Sequence, residues 1–188
     1  LLQELDADAV VIATGALPRV PELELMGDPT VLTAWEVLRG AEVPRGRAVV
    51  ADWRCDWIGL GTSILLAQKG HKVTLGVTGY HAGQRIQQYV RDEMIAEAAR
   101  LGVSIVPLVR IVGADADSVY FQHVLSDEPV IVDDVASLVL SQGHHSVDGL
   151  LRELEGRTDL EVHAVGDCVA PRTVEEAVLE GLRVGSLV

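Results

Sequence analysis

Arg47-Ala48-Val49-Val50-Ala51-Asp52-Trp53-Arg54-Cys55-Asp56-Trp57-Ile58-Gly59 is the stretch that decides the fold. Its apolar run, Ala48 to Ala51, predicts a strand buried on both faces, the kind that belongs in a parallel sheet. From Gly59 to Lys69 the pattern predicts a helix, with Gly70 as its C-cap, and Lys72 to Val77 predicts a second strand. That β–α–β order implies a right-handed crossover. Downstream, a helix over about 84–100 ends before Gly102, and Val103 to Val106 predicts a third strand. Residues 109–134 alternate in short segments around a turn at Ser126-Asp127-Glu128-Pro129, which predicts a small antiparallel crossover. Val135 to Leu140 is again a buried strand. Upstream, residues 17–45 read as a connection, with Pro18, Pro21 and Pro29 near its start and Thr33 placed to cap a short helix through Leu38. The fold class is therefore α/β: a doubly wound parallel sheet of nucleotide-binding type over residues 46–140.

Composition fits one or two small globular domains. The chain has 188 residues and is 48% hydrophobic, ample for a core. No apolar run approaches the roughly 20 residues that span a membrane, and no signal-peptide pattern opens the chain. A net charge of −13 argues against nucleic acid, because phosphate binding needs a basic surface. Cys55 and Cys168 lie far apart without CxxC spacing. This fits a reducing cytoplasm and offers neither an iron–sulfur nor a zinc site.

The two ends of the chain carry related signals. Near the C-terminus, a strand from Glu161 to Val165 runs into Gly166-Asp167-Cys168, then Ala170-Pro171-Arg172 and a helix from Val174 to Val184. Near the start, Ala7-Asp8-Ala9-Val10-Val11-Ile12-Ala13-Thr14-Gly15 predicts a buried strand with a tight exit, followed by Pro18-Arg19 and Pro21. Gly-Asp after a strand is common by chance; Gly-Asp-Cys-x-Ala-Pro-Arg is much rarer. Together the motifs resemble the C-terminal region of the NADH:flavin oxidoreductases that include trimethylamine dehydrogenase, histamine dehydrogenase, 2,4-dienoyl-CoA reductase and N-methyl amine demethylases.

That resemblance implies that Thr14, Gly15, Gly166 and Asp167 belong to an FAD- or ADP-type domain. Asp167 would reach the ribityl chain, and the following helix N-terminus would face the pyrophosphate. It also implies that residues 1–45 and 141–188 form part of this domain, with the Rossmann-like NAD(P)-type domain inserted between them. The family's Gly-rich phosphate loop precedes the Ala-Thr-Gly strand and is not in this sequence, so the chain reads as a fragment. An N-terminal barrel with FMN, and in several relatives an iron–sulfur cluster, would lie outside it. The expected partners are that barrel and an electron-acceptor protein, with room for a homo-oligomer; the chain alone is expected to hold no cofactor.

The loop at residues 52–59 is where a nicotinamide-binding domain carries GxGxxG. With Gly59 as third glycine, packing helix on strand, the first two glycine positions hold Arg54 and Asp56. The first glycine permits the turn and the second lets backbone approach the pyrophosphate. Asp56 instead places bulk and negative charge there; two like charges about 4 Å apart cost roughly 4 kcal/mol near a protein surface. Arg54 offsets part of this if it pairs with Asp56 or contacts a phosphate itself. The loop thus reads as a degenerate dinucleotide site. Loss of this fingerprint also marks the trimethylamine dehydrogenase side of the resembled family, where electrons leave through another protein. An amine dehydrogenase or demethylase-like parent follows, with an NAD(P)H-dependent enoyl reductase-like enzyme or a non-catalytic docking domain as alternatives. No catalytic residue is assigned within the chain.

The remaining candidates have plainer readings. Trp53 and Trp57 flank the loop as a plug in the vacated cleft, as a surface for the missing barrel, or as packing under a loop. His144-His145 read as a polar turn, since adjacent strand residues point to opposite faces and cannot share a metal. Asp133-Asp134 read as a solvated turn. Cys55 precedes a helix N-terminus, which can depress a thiol pKa, but inert packing is the simpler expectation.

Overall fold

The computed structural model describes residues 7–156 and 160–188. In chain order its elements begin with β1 (Ala9–Ile12), β2 (Ala16–Pro18), β3 (Glu24–Leu25), β4 (Val31–Thr33), α1 (Ala34–Leu38) and β5 (Arg47–Asp52). There follow α2 (Trp57–Gln68), β6 (Lys72–Val77), α3 (Gln88–Arg100), β7 (Ser104–Val106), β8 (Val109–Ala114), β9 (Ser118–His123) and β10 (Pro129–Asp133). The chain ends through β11 (Val135–Ser141), β12 (His144–Ser146), α4 (Gly149–Leu154), β13 (Glu161–Ala164) and α5 (Val174–Val184). Two compact units result: Val20–Gln142, and Leu1–Arg19 with Gly143–Val188.

The Val20–Gln142 unit is built on a five-stranded sheet in the order β4-β11-β5-β6-β7, parallel throughout. Alternate residues of these strands face opposite layers. Ala48, Val50, Val73, Leu75, Val77 and Val139 meet Ala34 and Val37 of α1, Leu60, Ile64 and Leu66 of α2, and Ala98 of α3. Val49, Ala51, Leu138 and Leu140 meet Val109, Val119, Phe121 and Val132 of the meander β8–β9–β10. The parallel sheet and its α/β order are as the sequence implies. Its second face, however, is covered by this antiparallel meander, with β3 beside β8, in place of the helices a doubly wound sheet would put there. Gly76 makes the close approach of the meander feasible, since a Cβ there would lie 2.7 Å from the Phe121 ring.

Boundaries differ from the sequence reading in instructive places. The segment 20–45 contributes β3, β4 and α1 to this unit, so the unit boundaries fall at 19/20 and 142/143 instead of 45/46 and 140/141. Its short helix α1 forms as its capping residues imply, Thr33 and Glu36 making a reciprocal capping box. Helix α2 begins at Trp57, two residues earlier than Gly59, because Asp56 serves as its N-cap. Helix α3 starts at Gln88, without a side-chain cap.

In the other unit, β1 and β13 pair in parallel, aligning Val10 with Val162 and Ile12 with Ala164. The two termini therefore share one small sheet, as expected of pieces of one domain. Antiparallel β2 and β12 form a second ribbon, so His144 and His145 lie in a strand instead of the expected turn. The core here is thin: Ile12, Leu154 and Cys168 are buried, with Val10, Leu151, Val162 and Ala164 against them. Helix α5 buries none of its residues.

Candidate functional site

Gly59 lies where helix α2 passes closest to the end of β5 in the Val20–Gln142 unit. A Cβ on Gly59 would stand 2.3 Å from Asp52 Cγ, so only glycine lets α2 pass this close to the end of β5. The loop between them is closed on itself. Asp56 Oδ1 accepts the Ile58 amide at 3.0 Å, and Arg54 Nε lies 3.0 Å from Asp56 Oδ2. Both side chains are largely buried, at 15% and 17% exposure. A carboxylate of the chain itself thus takes an amide at the helix N-terminus, where an anion would otherwise be held.

Asp52 is the residue that sequence reasoning passed over. It is 2% exposed. Its Oδ1 accepts the amides of Arg54 at 3.1 Å and Cys55 at 3.0 Å, shaping the loop, while Oδ2 is buried without a hydrogen-bond partner. Burial pushes its pKa up to about 7, opposed by the Cys55 amide and assisted by the negative charge of Asp56. The one available signal was an acid at the last position of an otherwise apolar strand. Cys55 adopts φ +54° and is buried. Its thiol pKa is raised, first by burial and then by the Asp52 charge, so the helix N-terminus does not activate it.

A second loop is stitched onto the first. Thr78 Oγ1 donates to Trp53 O at 2.7 Å, the Gly79 amide donates to Cys55 Sγ at 3.3 Å, and the Arg85 amide donates to Cys55 O at 3.0 Å. Nucleotide-binding sheets of this kind often place a ribose-binding acid after the second strand. Here Thr78 follows β6 and ties the two loops together. Trp53 and Trp57 are 49% and 51% exposed.

In the terminal unit the structure brings Thr14, Gly15, Gly166 and Asp167 to the same ends of adjacent parallel strands. Thr14 Oγ1 donates to Val147 O at 2.5 Å, and Ser146 Oγ donates to Asp167 O at 2.7 Å. Ser146 is a bridging residue that the motifs did not flag. Gly15 has φ +76° and open space where a Cβ would point, so backbone is accessible there. Gly166, at φ +72°, gives its amide to Glu180 Oε2 at 2.7 Å. That bond and the Arg172 contact hold the Glu180 carboxyl below its usual pKa. Asp167 Oδ1 accepts the Arg172 amide at 3.2 Å. The N-terminus of α5 is capped by Thr173, whose hydroxyl accepts the Glu175 amide at 3.3 Å, and its first turn carries Glu175 and Glu176. This helix end is thus capped by the chain's own side chains. Among the described residues, no group of three or more His, Cys, Asp or Glu side chains is placed to hold a metal, and no helix is long and apolar enough to cross a membrane.

No family model matches the chain. Among curated proteins it is 27% identical to a bilirubin reductase of Mediterraneibacter gnavus over 93% of this chain and 26% of that protein. It is 23% identical to a metal reductase of Desulforamulus reducens (94% and 30%) and 25% identical to an N,N-dimethylglycine/sarcosine dehydrogenase of Chromohalobacter salexigens (97% and 32%). The chain thus spans under a third of the length of these relatives. Among solved structures it superposes on histamine dehydrogenase from Rhizobium sp. 4-9 with a TM-score of 0.84 at 20% identity, covering 94% of this chain and 30% of that one. It superposes on 6-hydroxypseudooxynicotine amine oxidase from Pseudomonas geniculata N1 with a TM-score of 0.82 at 24% identity (97% and 29%). An HOCl-induced flavoprotein disulfide reductase of Escherichia coli follows at 0.67 and 18% identity (95% and 43%). The fold is that of the dinucleotide-type region of flavoprotein oxidoreductases, in agreement with the resemblance carried by the end motifs.

Proposed function

We propose that this chain is the C-terminal dinucleotide-type region of a flavin-dependent oxidoreductase of the amine dehydrogenase or demethylase kind, in which the nicotinamide-type loop takes no nucleotide. The observation that carries the reading is the Asp56 carboxylate on the Ile58 amide, neutralised by Arg54. It satisfies by intramolecular means what a pyrophosphate would satisfy in a working loop. The terminal unit, residues 1–19 with 143–188, belongs to an FAD- or ADP-type domain. Gly15 suits close approach of such a ligand's backbone-facing atoms, and Asp167 a polar contact. The capped end of α5, with Glu175 and Glu176, does not suit its pyrophosphate. FMN, any iron–sulfur cluster and the substrate would be held by regions of the parent beyond this chain, and a separate protein would accept the electrons.

Calorimetric titration tests the loop. NADH or ADP is expected to give no heat with the wild-type chain, whereas Arg54→Gly with Asp56→Gly exposes amides and yields weak adenine-nucleotide binding. Micromolar NADH binding by the wild type overturns the reading. A second reading, an NAD(P)H-dependent reductase, is favoured by the two relatives whose names are reductases. Anaerobic addition of NADH to the full-length parent separates the two, since only a reductase bleaches its flavin.

A further inference from the structure

The Gly166-Asp167-Cys168 turn is fastened on several sides, and one fastening comes from a residue outside the motif. Beneath the turn, the buried Cys168 donates from Sγ to Ile12 O at 3.2 Å and to Val165 O at 3.1 Å. On one flank, Ser146 Oγ donates to Asp167 O at 2.7 Å. On the other lies α5, close enough that a Cβ on Gly166 would stand 3.6 Å from Ala177 Cβ. From this helix Glu180 reaches back to the turn. Its Oε2 accepts the Gly166 amide at 2.7 Å, and its Oε1 pairs with the Arg172 guanidinium. Arg172 closes the circuit, donating its own amide to Asp167 Oδ1 at 3.2 Å and its Nε to Ala170 O at 3.2 Å.

The amide that Glu180 holds is the one that decides where Asp167 goes. Val165 still donates to Ile12 O across the β1–β13 pair, but Gly166, at φ +72°, turns its N–H out of that ladder. Left without an acceptor, a partly buried amide draws its peptide toward water or another partner, and the next residue moves with it. A polar contact is productive only when its side chain is held to within a fraction of an ångström. The Gly166 bond and the Arg172 contact keep the Glu180 carboxyl below its usual pKa, so at neutral pH it is an ionised acceptor.

We infer that Glu180 is a positioning residue of the nucleotide site in the terminal unit: through the Gly166 amide it sets the turn that presents the Asp167 carboxyl to a ribityl or ribose hydroxyl. The inference rests on the proposed FAD- or ADP-type reading of that unit. Arg172 steadies Glu180, but the acceptor at the Gly166 amide is what the turn requires.

Equilibrium dialysis of the full-length parent, freed of nucleotide, against FAD and in parallel against ADP tests this. Whichever probe the wild type retains, Glu180→Ala should hold it about tenfold more weakly, the loss of one charge-assisted hydrogen bond. Glu180→Gln keeps a carbonyl acceptor for the amide and should stay within about threefold of wild type. Exchanging the charges, Glu180→Arg with Arg172→Glu, restores the ion pair but leaves the amide no acceptor on residue 180, and should bind as weakly as Glu180→Ala. In the 188-residue chain without nucleotide, hydrogen exchange at the Gly166 amide should follow the same order. A mere tether of α5 gives the reverse, weak binding in Glu180→Gln and recovery in the exchanged pair. That result overturns the inference, as does wild-type affinity or unchanged Gly166 exchange in Glu180→Ala. Failure of the FAD- or ADP-type reading looks different: the wild type retains neither probe, or Asp167→Ala binds as tightly as wild type, and the inference falls with it.

Discussion

Helices α2 and α5 each follow a parallel strand at a place where dinucleotide folds hold phosphate, and both have their N-terminal amides taken by side chains of the chain itself. They differ in everything behind that end. Helix α2 buries Gly59, Leu60, Thr62, Ser63, Ile64 and Leu66 against a five-stranded sheet. Helix α5 buries nothing, and Val174, Val178 and Leu182, at i, i+4 and i+8, are 74%, 64% and 67% exposed. A helix in water draws most of its stability from packing an apolar face. The closed loop of the Val20–Gln142 unit thus sits on a fully packed architecture. The terminal unit keeps its motif residues on a two-stranded sheet, which is marginal by itself.

The contrast can be broken most directly at Asp52. The folded chain keeps a proton on this carboxyl up to about pH 7, whereas the unfolded chain releases it near the ordinary value of 3.8. Its contribution to stability is therefore fully present below about pH 4 and is lost as pH rises through 7. A shift of this size corresponds to roughly 4 kcal/mol at 1.36 kcal/mol per unit. Asp52→Asn keeps an acceptor for the Arg54 and Cys55 amides while removing the titration. Urea unfolding of the Val20–Gln142 unit between pH 4 and 8 should show a decline in wild type and a flatter profile in the variant. Equal slopes would mean that Asp52 is not buried as an acid.

Core substitutions come next. Leu75 is fully buried in β6 beneath α2, and Leu75→Ala should cost about 3 kcal/mol. Val178→Ala on α5 should change stability by less than about 0.5 kcal/mol. Comparable losses at the two positions would show that α5 is packed in solution and would remove the distinction between the units.

A third effect, smaller again, lies at the Asp56 cap. Asp56→Ala removes an N-cap bond and leaves Arg54 without its carboxylate, a loss of about 1 kcal/mol. Added sulfate should recover part of it in the variant and none in wild type, because an anion can replace the missing carboxylate. Thermal melts in sulfate and chloride at matched ionic strength decide this.

How far these differences could be read in advance depends on how local their causes are. The β5–α2–β6 order was legible because an apolar run, a glycine C-cap and a second run are local signals. So was Thr33 as the cap of the short helix that follows it. The meander over Val49, Ala51, Leu138 and Leu140 was not, since a strand buried on both faces looks the same under helices as under another sheet. The contribution of residues 20–45 was also hidden: β4 is three residues long and exists by pairing with β11, more than a hundred positions downstream. At the site, Gly59, Arg54 and Asp56 stood out against the glycine pattern. Asp52 did not, because its importance arises from burial and from two amides that return to it only after the loop folds.

The weakest expected effect is at the other helix end. Thr173 caps α5 and Glu176 accepts the Thr173 amide at 3.0 Å, with Glu176 held below its ordinary pKa chiefly by its hydrogen bond to the Thr173 hydroxyl. In a helix with a buried face, loss of an N-cap lowers global stability by about 1 kcal/mol. Helix α5 has no buried face to transmit the loss, so Thr173→Ala should leave the global melt unchanged and act locally. Hydrogen exchange should accelerate at the Glu175 and Glu176 amides, with little change at Leu60 and Leu66 of α2. A cooperative drop of the whole melting curve in Thr173→Ala would show that α5 is coupled to a core, and that its exposed stripe of Val174, Val178 and Leu182 is covered in solution.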